Sequence, residues 1–348
     1  MAIDSALFQE NERTRPEVQD RRVASLGPMT LESGARLDSV EIAYETWGDI
    51  GHPAILICHA LSGDSHALGW WDRLVGPGKA IDTDRYFVVC SNALGGCQGS
   101  TGPLHFAPHG SRFPQVSVGD MVDAQAHLAE ALGIEKWHAV AGGSMGGMQA
   151  LEWSVRHPHR VERCFATASC AAHSAMQIGF NETGRQAIRR DPRWRGGDYP
   201  LDDAPRDGLS VARMLGHLSF LSDAAFEAKF GRGRQPGKEH LFQVESYLNY
   251  QGDKFTGRFD ANSLLVLTRA IDDWELTSME PATARYLFVS YTSDWLYPSS
   301  QSRKLLEMAN AAGREAEWIE IDLPHGHDAF LLDGEIQGEA LRKFLQSE

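Results

Sequence analysis

The chain has 348 residues, 42% of them hydrophobic, and a formal net charge of −14 at pH 7. A chain of this length buries roughly three quarters of its unfolded surface and needs no staples, and its acidic excess argues against nucleic acid as a general partner. The five cysteines, Cys58, Cys90, Cys97, Cys164 and Cys170, are odd in number and lack framework spacing, so reduced thiols are expected. The first residues show no apolar signal-like stretch and no window approaches about eighteen apolar residues, so we expect a cytoplasmic protein without membrane contact.

Residues 1–37 read as an extension and an early strand, punctuated by Pro16 and Gly27-Pro28. Strand-like runs follow at Val40–Tyr44, Ala54–Cys58, Tyr86–Cys90, Trp137–Ala141 and Val161–Ala168, interleaved with helical patterns at Met121–Leu132 and Met145–Arg156. Such alternation predicts an α/β fold with a doubly wound, mostly parallel sheet. Between Ser174 and Pro281 the alternation stops and the segment reads as mainly helical. Within it Val211, Met214, Leu215, Leu218, Leu221, Ala225 and Phe226 recur at three and four, which predicts one buried face. The run Arg185–Arg195 is the one local basic exception, read as a solvated helix end. Two further strands are expected, Tyr286–Ser293 and Ala316–Leu323. The expected division is a core of residues 1–173 and 282–348 with a helical cap inserted at 174–281.

Ala141-Gly142-Gly143-Ser144-Met145-Gly146-Gly147 follows an apolar run and opens a helical pattern. A serine on a sharp strand-to-helix turn needs small neighbours, which Gly142 and Gly146 supply, and the helix start would direct free N–H groups at a developing oxyanion. Asp294 ends the expected strand Tyr286–Ser293, and His327 follows Ala316–Leu323. The chain order Ser144, Asp294, His327 is that of the α/β-hydrolase triad, with each member on a loop after a strand. His325 is the alternative base. His325 and His327 together provide at most two metal ligands, and no Cys-x-x-Cys or His-Glu-x-x-His spacing completes a set, so no metal is expected. The loop His59-Ala60-Leu61-Ser62-Gly63 occupies the place of the second oxyanion donor. The backbone N–H groups of Leu61 and Met145 are the candidates, with His59 as an ordinary satisfied loop residue the competing view of that turn.

Longer motifs carry a resemblance. Cys58–Gly63, Gly69-Trp70-Trp71-Asp72, Gly76–Asp84, Leu94–Pro103, the Ser144 turn, Gln243–Leu248, Arg258-Phe259-Asp260 and His325–Phe330 resemble the homoserine O-acyltransferases of the MetX type. The match spans about residues 38–345. The resemblance implies an α/β-hydrolase fold, acyl transfer from an acyl-CoA co-substrate to L-homoserine in methionine biosynthesis, a ping-pong route through acyl-Ser144, no bound cofactor and a homodimer. It also implies Arg213 against the homoserine carboxylate and Asp328 against its ammonium group.

The donor is tied to Leu296. Members of the family that use succinyl-CoA commonly carry arginine two residues after the triad aspartate, and an apolar residue gives the distal carboxylate no partner, which favours acetyl-CoA. Trp295 resembles the succinyl-type context, so succinyl-CoA stays open as donor, as do serine as acceptor and water in a hydrolase. A noncatalytic binding scaffold is the reading from another class, and the intact Ser–Asp–His set argues against it.

Overall fold

The computed structural model describes residues 21–347, so Pro16 and the extension before Arg21 lie outside it. The chain begins with β1 (Arg22–Thr30), β2 (Arg36–Trp47), β3 (Ala54–Cys58) and β4 (Phe87–Ser91). It continues through α1 (Val118–Ala131), β5 (Ala139–Gly143), α2 (Met145–Arg156) and β6 (Arg163–Thr167). Next come α3 (Ala175–Arg190), α4 (Arg206–Phe220), α5 (Asp223–Phe230), a short ribbon of β7 (Arg234–Gln235) and β8 (Lys238–Phe242), α6 (Gln243–Thr256) and α7 (Ala261–Asp273). The last elements are β9 (Arg285–Tyr291), α8 (Ser299–Ala311), β10 (Ala316–Ile321) and α9 (Ile336–Gln346).

Eight strands form one sheet in the order β1-β2-β4-β3-β5-β6-β9-β10. From β4 through β10 every neighbouring pair is parallel, whereas β1–β2 and β2–β4 are antiparallel. The central strands are near-continuous apolar runs because helices cover both faces. In β3, Leu56 and Cys58 join one core cluster while Ile55 and Ile57 join the other, so the strand's period of two divides it between the layers. The winding reverses at β3, which pairs with β4 on one side and β5 on the other. Such a switch point opens a crevice at the strands' carboxyl ends, where the loops after β3 and β5 leave side by side.

Helix starts follow local capping chemistry. Ser117, Ser174, Ser222 and Asp260 each accept a hydrogen bond from a backbone N–H in the first turn of α1, α3, α5 and α7. Four local expectations need correction. β2 extends well beyond Val40–Tyr44 because it pairs with β1 on one edge and β4 on the other. Residues 174–281 also contain the β7–β8 ribbon, bent at Pro236-Gly237. The pattern from Val211 to Phe226 is not one buried face: the helix breaks at Leu221, and Val211 and Leu218 stand 52% and 43% exposed. The basic run differs as well, since Arg185 is buried and pairs with Asp272 at 2.6 Å and Glu182 at 2.9 Å. Arg193 and Arg195 pair with Asp207 and Asp203.

All five cysteines are free thiols. No described helix is long and apolar enough to cross a membrane.

Candidate active site

Ser144 sits between the last residue of β5 and the first of α2, with φ at 56° and ψ at −124°. A side chain in the left-handed region is strained, and the surroundings must enforce it. They do so by close packing. A Cβ on Gly142 would strike the backbone of Gly146, and one on Gly146 would strike the Cys58 carbonyl, so glycine is required where α2 crosses β3 and β5. The Ser144 N–H donates to the Thr167 carbonyl at 3.0 Å, and its carbonyl accepts from Gly147 N–H and Ser169 Oγ. The N–H of Met145 is the first of α2 and has no acceptor within the helix.

Register places the second loop. Cys58 at the end of β3 lies opposite Gly142 on β5, so the chain leaving β3 brings Leu61 into the cavity that Ser144 also lines. His59 is 4% exposed; its Nε2 accepts from Ala93 N–H at 3.0 Å while Nδ1 lies 2.7 Å from the Ala60 carbonyl. Its ring is thus satisfied within the loop, while Ala60, Leu61, Ser62 and Gly63 line the cavity.

Asp294 follows β9 in a turn closed by its own N–H to the Tyr291 carbonyl at 3.1 Å. Its Oδ2 lies 2.8 Å from His327 Nδ1, and its Oδ1 accepts from Tyr297 N–H at 2.8 Å. An ionised carboxylate only accepts, so Nδ1 carries the proton and Nε2 is left as a base. Asp294 and His327 are 2% and 3% exposed. His325 is also buried, but the cavity is lined by His327 and not by His325, which separates the two histidines.

The cavity, of about 280 Å³, is lined by Ser144, His327 and Leu61 from loops after strands and by Arg213, Tyr247 and Phe255 from α4 and α6. Arg213 donates to Ser62 Oγ at 3.2 Å, and its guanidinium lies 4.7 Å from the centre of the Phe255 ring. Asp328 also lines the cavity, and burial pushes its carboxyl up to about 6 against the pull of His327 and Arg213. Leu296 and Trp70 add apolar wall. Trp295 is 43% exposed and donates to the Leu221 carbonyl at 3.0 Å.

Sequence reasoning missed several neighbours. Tyr297 stacks on His327 with centroids 4.7 Å apart, and its hydroxyl meets His173 Nε2 at 2.6 Å. His173 Nδ1 is in turn 2.8 Å from Asp272, which Arg185 also holds. His217 lines the cavity, and burial, with Arg213 and Lys229 nearby, pushes it down to about 2, so it stays neutral. Only the DxxY spacing of Asp294 and Tyr297 could have flagged any of these. Among the described residues no group of three His, Cys, Asp or Glu could hold a metal ion.

Known proteins resemble this chain over most of its length. The α/β-hydrolase fold family matches residues 53–330. The homoserine O-acetyltransferase of Leptospira biflexa is 48% identical, over 94% of this chain and 93% of its own length. That of Caulobacter vibrioides is 45% identical, over 92% of each chain. The solved structure of homoserine O-acetyltransferase from Bacillus anthracis superposes with a TM-score of 0.87 at 29% identity, covering 94% of this chain and 98% of the other. That of esterase E22 superposes with a TM-score of 0.86 at 27% identity, covering 94% and 100%. The strained serine on its strand-to-helix turn, the buried Asp–His pair and relatives alike over nearly the whole length lead to one assignment: the chain belongs to the homoserine O-acetyltransferases of the α/β-hydrolase fold.

Proposed function

We propose that the protein transfers an acetyl group from acetyl-CoA to the hydroxyl of L-homoserine, by a ping-pong route through acetyl-Ser144, as a step of methionine biosynthesis in the cytoplasm. The observation that carries this reading is one cavity holding both Ser144 with His327 and an Arg213–Asp328 pair of opposite charge. His327 Nε2 takes the Ser144 proton as Oγ attacks the thioester carbon, and Asp294 stabilises the imidazolium that forms. The N–H groups of Leu61 and Met145 receive the oxyanion. The tetrahedral intermediate collapses, the C–S bond breaks, and CoA leaves as a thiol with the proton from His327. Homoserine then gives its hydroxyl proton to His327, attacks the ester, and Ser144 regains the proton as its bond to the acyl carbon breaks.

Arg213 holds the acceptor carboxylate and Asp328 its ammonium group. A fixed cation and a fixed anion in one cavity suit the two opposite charges of a zwitterion better than a neutral ester. Residues 174–281 act as a helical cap that supplies Arg213 to the acceptor, while the core of residues 1–173 and 282–348 supplies Asp328 together with the nucleophile, base and oxyanion donors. No cofactor or metal takes part. The exposed Val211 and Leu218, seven residues apart on one side of α4, supply apolar surface for a homodimer.

A hydrolase is the second reading, favoured by the close superposition of esterase E22. The deciding assay follows products by mass spectrometry with acetyl-CoA or succinyl-CoA, each offered homoserine, serine or no acceptor. O-Acetylhomoserine as the main product supports the transferase; rapid CoA release without acceptor supports the hydrolase. Preferred succinylation or serine acylation would reassign donor or acceptor.

A further inference from the structure

The acyl-CoA donor brings several phosphate charges to a chain of net charge −14, so its nucleotide end needs a local positive surface beside the cavity. One is present. Lys229, near the end of α5, lines the cavity wall and places its ammonium 4.5 Å from the centre of the Tyr247 ring, which lines the same wall. The chain then turns at Gly231, with φ at 45°, and enters the β7–β8 ribbon. The guanidinium groups of Arg232, in this turn, and Arg234, on β7, lie 5.6 Å and 3.6 Å from the centre of a single ring, that of Phe242 on β8. Lys238 follows, exposed, on β8.

Two like charges over one ring need an explanation. Most arginines elsewhere on the cap pair with acids, as Arg185, Arg193 and Arg195 do. Neither Arg232 nor Arg234 has a carboxylate partner among the described residues. The nearby acids are engaged with backbone: Glu239 accepts from Gly237 N–H at 3.2 Å and Glu245 from Phe242 N–H at 2.6 Å. Arg234 itself spends one donor on the His240 carbonyl, at 3.4 Å. A ring face holds a guanidinium in place while leaving most of its N–H donors available, and those donors form the planar fork that suits phosphate oxygens.

We propose that Arg232, in the turn before the β7–β8 ribbon, and Arg234, on it, bind the phosphate groups of the acyl-CoA donor. The inference rests on the acyl-CoA reading above. Lys229, three residues before Arg232, and Tyr247 line the cavity that Ser144 also lines, so on this reading the pantetheine arm runs past them to the nucleophile. The ribbon then selects the donor by its far end and takes no part in bond making.

The test compares acetyl-CoA with S-acetyl-N-acetylcysteamine, a thioester that lacks every phosphate. The double variant Arg232→Ser/Arg234→Ser should raise the acetyl-CoA KM by roughly tenfold, with kcat, the homoserine KM and the unfolding temperature unchanged. Kinetics with the phosphate-free thioester should not move. Added salt should raise the wild-type KM for acetyl-CoA and affect the double variant less, and Arg232→Lys/Arg234→Lys should recover most of the loss. The inference is overturned if the acetyl-CoA KM stays within about twofold, or if both thioesters weaken together. A wild-type protein that makes no O-acetylhomoserine overturns the acyl-transfer reading instead, and the two failures are told apart by that control.

Discussion

Tyr297 touches both members of the Asp294–His327 pair: its ring stacks on the imidazole at 4.7 Å with 19° between planes, and its N–H donates to Asp294 at 2.8 Å. The hydroxyl is tied to His173, and through it to Asp272 and Arg185 on the helices that follow β6. One side chain thus links the base to the cap. Tyr297→Ala should therefore lower kcat by roughly ten- to a hundredfold, because a base free to rotate loses its aim at Ser144. Tyr297→Phe, which keeps the stack, should lose less than about tenfold. Saturation kinetics beside thermal unfolding separate the two effects, and an alanine variant within threefold of wild type would mean that the ring does not position His327.

Ser144→Ala should abolish transfer while the fold survives, since alanine fits the turn and removes only the hydroxyl. The expected fall is roughly a thousandfold or more, and adding His327→Ala or Asp294→Asn should cost little further, because the three act as a unit. Intact-protein mass spectrometry should show an acetyl adduct on the wild type that the variant lacks. Near-normal turnover by Ser144→Ala would rule out the covalent route.

Arg213 and Asp328 are assigned to the acceptor, so their loss should fall on the second half-reaction. Arg213→Ala should raise the homoserine KM or lower turnover while the first burst of CoA release persists. A vanished burst would show that Arg213 serves the thioester step or cap folding.

Asp328 adds a pH signature. Burial pushes its carboxyl up to about 6, so kcat/KM for homoserine should rise with pH through that region as the anion that binds the ammonium group forms. The stability effect has the opposite direction. The folded carboxyl binds its proton more tightly than the unfolded one, at about 3.9, so between pH 4 and 6 the folded state holds more protons and stability falls as pH rises. Asp328→Asn removes the buried charge, so it should raise the unfolding temperature near pH 7.5 while weakening homoserine binding. A drop in the unfolding temperature would mean that the surroundings stabilise the ionised carboxylate, which reverses the sign of the stability effect.

Leu296 lines the cavity that Ser144 also lines, the cavity that receives the acyl group of the donor on the proposed route. Leu296→Arg should shift the ratio of kcat/KM toward succinyl-CoA by roughly ten- to a hundredfold where the guanidinium meets the distal carboxylate squarely. The wild type should prefer acetyl-CoA at equal homoserine concentration. A wild-type preference for succinyl-CoA would remove Leu296 from the choice of donor.

The nucleophile turn was legible in the sequence because its constraints are local. Gly142 and Gly146 are required by backbone contacts within a few residues of Ser144 and with β3, and the apolar runs of β3 to β6 announce strands buried on both faces. Chain order also pointed to Asp294 and to the pair His325 and His327, since each follows a recognisable strand, and the family resemblance favoured His327. Tertiary structure decided whatever depends on groups far apart in the chain. His327 was separated from His325 by its place in the cavity wall, and it meets Asp294 from thirty-three residues away. The wiring of His173 to Asp272 and Tyr297 spans about a hundred residues and leaves no periodic trace. Val211 and Leu218 have the spacing of a buried face, yet α4 turns them outward because its inner side is filled by Leu209, Ala212 and His217. Periodicity reports that a face is apolar, and only packing determines whether that face meets its own chain or the surface.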